Sequence, residues 1–305
     1  MFFIKTIFSI VILLCIFSTS VFASEKILDG NITIEYQKND EKLALTIKKM
    51  ARDSFDELNK KIPLNKNINL EIKLCDKDEF RKFSNDQNDS IQGLAFSSEN
   101  LIVLKKENIF RNSKEDIVNL VSHEMFHIFL GNSIDKKSGK KLPRWFNEGT
   151  ALWYSSGINE IFSYNYQNSL QTAFLNDSLI NFDYIEDSFP NNQEAMTLAY
   201  AQSLSIIDFL VKNYGEEKFW LLIKNMTKYE FFYDSFQNTY NIDFYSFQKI
   251  WKINNSKSIY TWDYYLSTHI NNFIEVLIGL VAFFVFISMH FRNKKKRRKL
   301  EEEEN

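Results

Sequence analysis

Two of the chain's four histidines stand four residues apart, with a glutamate directly after the first, in His123-Glu124-Met125-Phe126-His127. On an α-helix, residues i and i+4 project from one face about 6 Å apart, so two imidazoles at that spacing can share one divalent metal at about 2.0–2.1 Å each. Glu124 points about 100° further round the helix, off the metal but near a water bound to it. That position suits a general base. A catalytic zinc site needs three protein ligands and an open position. His269 and His290 flank an apolar segment near the C-terminus, so neither makes a good third ligand. Glu148, in Asn147-Glu148-Gly149, is better placed, with 20 residues between it and His127. Taken alone, Glu148 also reads as a solvated helix residue.

These side chains converge only if the elements carrying them are helices. Ser113 supplies an N-cap and Asp116, three residues on, completes a capping-box-like start. Ile117, Leu120, Val121, Phe126 and Leu130 then follow at mostly helical spacing, and Gly131 reads as a stop, predicting a helix from about Lys114 to Leu130. Pro143 suits the first turn of a second helix that carries Glu148. Upstream, Asn31–Tyr36 and Ile68–Leu74 alternate as strands around an amphipathic helix over Glu41–Lys60, and Lys77–Phe83 suits a short helix. Residues 91–96 and 101–104 read as a hairpin across Ser98-Glu99-Asn100. Helices are expected at 144–156, 163–175, 195–213, 216–228 and 243–252. The expected fold class is therefore α+β, a small mixed sheet followed by a mainly helical lobe.

His-Glu-x-x-His, followed after some twenty residues by Pro143-Arg144-Trp145-Phe146-Asn147-Glu148-Gly149-Thr150-Ala151, resembles the gluzincin metallopeptidases, the thermolysin-like superfamily also called peptidase MA. The resemblance covers roughly residues 30–255, closely at the two motif segments and loosely elsewhere. It implies a thermolysin-like zincin domain with one zinc ion per chain, held by His123, His127 and Glu148, with Glu124 activating the water. The segment from Ala199 to Leu210 is similar to a downstream helix that, in the aminopeptidase branch, carries a tyrosine stabilising the transition state; carried over, that residue is Tyr200. A buried structural tyrosine is the competing reading. In this family an edge strand before the zinc helix binds extended substrate by strand addition, and the candidates here are Gly93, Leu94, Ala95 and Phe96. A packed interior strand is the alternative. The Gly-x-Met-Glu-Asn motif of related aminopeptidases is missing, which argues against a simple aminopeptidase.

Both ends of the chain bear on location. Residues 1–23 combine Lys5, an apolar stretch from Ile7 to Phe17 and Val21-Phe22-Ala23, as a secretory signal cut before Ser24 would; an uncleaved anchor is the alternative. Phe273–Phe291 is 19 mostly apolar residues, enough to cross a bilayer. The cationic run Arg292–Lys299 follows at once and marks that side as cytoplasmic. The expected organisation is a signal at 1–23, an extracellular peptidase-like domain at 24–256, a stalk at 257–272, a single membrane span at 273–291 and a cytoplasmic tail at 292–305. Setting aside Lys5, the seven tail cations and the four terminal glutamates leaves residues 24–291 with about six more negative than positive charges. No basic surface remains to suggest nucleic acid, although the tail cations can meet anionic lipid headgroups. Once the signal is removed, Cys75 is the one remaining cysteine, so no intrachain disulfide forms.

The function expected from these readings is a membrane-anchored extracellular zinc metallopeptidase acting on peptides or proteins, with its lipid contact made through the C-terminal helix. A peptidase-like surface binding module without turnover is the alternative. An intramembrane protease fits poorly, because Lys114, Glu115 and Asp116 precede the His-Glu-x-x-His segment and Asp135, Lys136 and Lys137 follow it. Trp145, Phe146, Trp153 and Tyr154 are expected in the core, with the lining of a cleft as the alternative.

Overall fold

The computed structural model describes residues 24–62, 68–84, 91–109, 113–134, 142–160, 164–259 and 262–303. The expected signal at 1–23, with Cys15, lies outside the described residues. Five strands, β1 (Ser24–Asp29), β2 (Ile32–Gln37), β3 (Leu70–Cys75), β4 (Gly93–Phe96) and β5 (Leu101–Lys105), pair in the order β1-β2-β3-β5-β4. The two edge pairs are antiparallel and the inner ones parallel, so the sheet is mixed. In this register Ile34, Ile72 and Ile102 stand in one row, all fully buried, and Ala95 of β4 ends the row. The period of two then places Gly93 on the same face as Ala95. Leu94 and Phe96 turn to the other face, where they pack on a cluster of Cys75, Phe80 and Val103. Cys75 is free and buried.

Helix α1 (Glu41–Lys61) covers β2 with Ala44, Ile47, Ala51, Phe55 and Leu58, spaced at three and four residues as an amphipathic helix requires. Short helices α2 (Lys77–Phe80) and α3 (Lys106–Ile109) flank the last strands. Helix α4 (Lys114–Ser133) packs on α1 and β4, with Phe129 meeting Phe55 edge to face at 5.0 Å. Its start is the expected capping box: Ser113 Oγ accepts from the Asp116 N–H at 3.1 Å, and Asp116 Oδ2 accepts from the Ser113 N–H at 2.9 Å. The expected stop at Gly131 is corrected, because the helix continues to Ser133 and ends at the extended Ile134. Gly131 serves close approach instead: a Cβ there would lie 2.4 Å from Ser97 Oγ, in the turn between β4 and β5.

The elements that follow are helical. Helices α5 (Arg144–Glu160), α6 (Tyr164–Leu175) and α7 (Gln193–Tyr214) pack together. At the α5–α7 contact a Cβ on Gly149 would fall 2.4 Å from the Ser203 carbonyl oxygen, so only glycine permits that spacing. Helices α8 (Glu216–Asn225), α9 (Phe232–Tyr240) and α10 (Phe244–Ile259) follow. Trp145 stacks on Phe244 at 4.6 Å and meets Phe182 and Phe232 edge to face, forming an aromatic core beneath α5.

Besides the short α3, two elements were not expected from the sequence. β1 carries no apolar alternation, yet it pairs with β2 through a two-residue turn at Gly30 and Asn31, with Gly30 at φ +59°. α9 buries Phe232, Ser235, Phe236, Thr239 and Tyr240, and its polar pair disguises a helical stripe.

The chain divides into two compact units at Gln248 and Lys249. In the second, α11 (Trp262–Glu303) is one continuous helix that contains Ile274–Arg292, 19 residues long and apolar enough to cross a membrane. Its apolar side chains, including Leu277, Phe283 and Phe286, are exposed. The molecule is therefore α+β and mostly helical, with a small mixed sheet and one apolar C-terminal helix.

Candidate metal centre

Helices α4 and α5 meet with three metal-ligating side chains turned toward one point. His123 Nε2 and His127 Nε2 are 3.1 Å apart, and Glu148 Oε2 lies 3.7 Å from each. Four tetrahedral ligands at zinc's usual bond lengths would stand about 3.3 Å from one another. The three donors match that spacing closely, and their chemistry, two imidazoles and a carboxylate, is that of a zinc site. The sequence thus places the histidines by i,i+4 geometry within α4, whereas Glu148 arrives from a second helix through the α4–α5 packing.

Asn147, next to Glu148 on α5, fixes one of the imidazoles. Its Oδ1 lies 3.0 Å from His127 Nδ1. A carbonyl oxygen only accepts, so Nδ1 is the donor, and in the neutral ring the lone pair of Nε2 is directed at the shared point. In the sequence Asn147 stands within the motif with no role of its own. The signal was its position one residue before the candidate ligand, about 100° round the same helical turn.

Electrostatics set the protonation of the group. Burial disfavours the charged form of Glu148, but contacts with His123 and His127 outweigh it and hold the carboxyl well below its ordinary range. For His127, burial works against the imidazolium, yet the bond and charge of Glu148 raise it above the ordinary histidine value. Glu124 differs. Burial raises its carboxyl and Glu148 adds to the rise, while the two imidazoles oppose it. Glu124 thus holds a proton more tightly than an ordinary carboxyl, the direction a general base requires.

A cleft of about 1080 Å³ opens over this group, lined by His123, Glu124, His127, Glu148 and Tyr200. Gly93, Leu94 and Ala95 line it as well; Phe96 does not, because its ring packs against Phe83 at 6.3 Å in the cluster behind the sheet. β4 is the edge strand. The Gln92 carbonyl accepts from the Lys105 N–H at 2.9 Å, so in the antiparallel pair residues 92, 94 and 96 turn their backbone groups to β5. Gly93 and Ala95 turn theirs outward. A Cβ on Gly93 would lie 2.6 Å from Glu124 Oε1 and 2.9 Å from its Cγ, so the strand touches the candidate base itself.

Tyr200, on α7, packs edge to face on Phe189 at 4.8 Å, and burial together with the charge of Glu148 raises its phenol well above the usual value. Tyr166 on α6 lines the same cleft and is raised by the same two causes. The sequence singled out one of these phenols and missed the other, since nothing local to Tyr166 records that α6 approaches the centre.

No curated protein matches the chain. The profile described as the Peptidase MA superfamily matches residues 82–256, more than half of the chain and a span that holds the β4–β5 hairpin and every residue of the centre just described. With that coverage, the chain belongs to the Peptidase MA superfamily.

Proposed function

We propose that this protein is a membrane-anchored zinc metallopeptidase of the thermolysin-like gluzincin type, acting outside the membrane on peptides or proteins. The observation that carries the reading is the convergence of His123, His127 and Glu148 on one point, with the buried Glu124 lining the same cleft. Zinc held there would supply Lewis acidity toward a peptide carbonyl and toward water.

The chain's own residues do the rest. Asn147 keeps His127 in the metal-binding tautomer. Glu124 takes the proton of the attacking water and delivers it to the leaving amine. Tyr200 donates to the oxygen on which negative charge develops. An extended substrate adds to the edge of β4, where Gly93 and Ala95 offer outward N–H and C=O groups and Leu94 contributes to the cleft wall. The lack of a Gly-x-Met-Glu-Asn segment favours an enzyme other than a simple aminopeptidase.

The location follows from the ends of the chain. Residues 1–23 direct export, 24–256 form the exported domain, 257–272 link it to the membrane, 273–291 span the bilayer and 292–305 stay inside, held by the run Arg292–Lys299. Protease added outside intact cells should digest the domain and spare the tail.

Digestion of a diverse peptide library by the purified full-length chain tests the activity. Cleavage should disappear with a chelator and return with zinc. A chain that holds zinc yet cleaves no peptide would instead favour a binding module.

A further inference from the structure

Glu148 divides its two oxygens between different neighbours. Oε2 faces the two imidazole nitrogens at 3.7 Å, whereas Oε1 lies 3.2 Å from Nη2 of Arg144, one turn earlier on α5. On a solvated helix such an i,i+4 pair contributes little. Here the Glu148 side chain is 10% exposed, and a buried carboxylate oxygen with no donor is unfavourable.

Arg144 is itself held in place. Its backbone N–H donates to the Glu186 carbonyl at 2.6 Å, and its guanidinium lies over the Phe189 ring at 5.5 Å. Phe189 in turn meets Tyr200 edge to face. The guanidinium therefore reaches Glu148 from a fixed direction along the cleft wall, and a charge-assisted bond from it is stronger than a neutral one.

We propose that Arg144 is a positioning residue for Glu148: by donating to Oε1 it leaves Oε2 as the single oxygen offered to a cation held by His123 and His127. The inference rests on the zinc reading above and adds to it a reason for the open coordination position. Without Arg144 the carboxylate is free to bind a cation through both oxygens, adding a fifth ligand that crowds the place where water and substrate must enter.

Cobalt(II) in place of zinc reports this directly, because its visible absorption is intense in four-coordinate sites and falls as the coordination number rises. The full-length chain loaded with cobalt should give the intense spectrum. Arg144→Met should take up the same amount of cobalt with a several-fold weaker band, and Arg144→Lys, which retains a donor for Oε1, should restore the intensity. The Arg144 side chain is 45% exposed, so these changes should leave the fold intact, as thermal unfolding will check, and Arg144→Ala repeats the test with a smaller side chain. A spectrum in Arg144→Met and Arg144→Ala equal to that of the unaltered chain, or a weak spectrum in the unaltered chain, overturns the role of Arg144 and leaves the metal site standing. Failure of the unaltered chain to take up cobalt overturns the site and this inference with it.

Discussion

On its helical side the cleft is built from side chains that hold one another. Glu148 is kept charged by two imidazoles, His127 is oriented by Asn147, and Glu124 is buried on the same helix as both histidines. On its strand side, β4 contributes mainly backbone, from residues with small side chains at Gly93 and Ala95. The helical side therefore depends on the identity of each residue. The strand side depends on shape, and tolerates change until a new atom reaches the helical side.

Substitutions on the two sides should separate accordingly. The largest loss is expected at Glu124. Glu124→Gln keeps the volume and removes the base, so peptide hydrolysis should fall by about 10²- to 10⁴-fold while metal content stays unchanged; full activity in that variant would refute the assigned role. Asn147→Ala releases His127 and should weaken zinc binding or turnover by about 10- to 100-fold, read by chelator competition and by kcat/KM. An affinity and rate equal to those of the unaltered chain would show that the His127 contact is incidental.

Gly93→Ala is the substitution that crosses from one side to the other. The added methyl would lie 2.6 Å from Glu124 Oε1, so the carboxylate must move, and a displaced base should lower kcat by roughly tenfold with zinc affinity unaltered. If KM alone rises, the strand acts only through substrate, and its contact with Glu124 has no catalytic consequence.

The same contrast decides what was legible in the sequence. His123, Glu124 and His127 were readable because the i,i+4 spacing is fixed by one helix, and the capping box at Ser113 and Asp116 announced that helix. Most of the sheet and helices followed from periodicity. β1 did not, since an edge strand with exposed Lys26 and Leu28 and no fully buried residue has no buried face to impose alternation. α9 did not, since Ser235 and Thr239 are buried by hydrogen bonds, Thr239 accepting from Asn225 at 3.0 Å, rather than by apolar character. Gly131 was misread because a stop signal and a close-contact glycine look alike until Ser97 is seen beside it. Arg144 and Tyr166 were silent for a different reason: their relation to Glu148 arises from how α5, α6 and α7 pack, which no local pattern encodes.

Metal content of the purified full-length chain and of its Glu148→Ala variant tests the account most directly. One zinc ion per chain in the first and a large loss in the second is the result predicted. No bound metal in the unaltered chain, or undiminished zinc after Glu148 is removed, would contradict it.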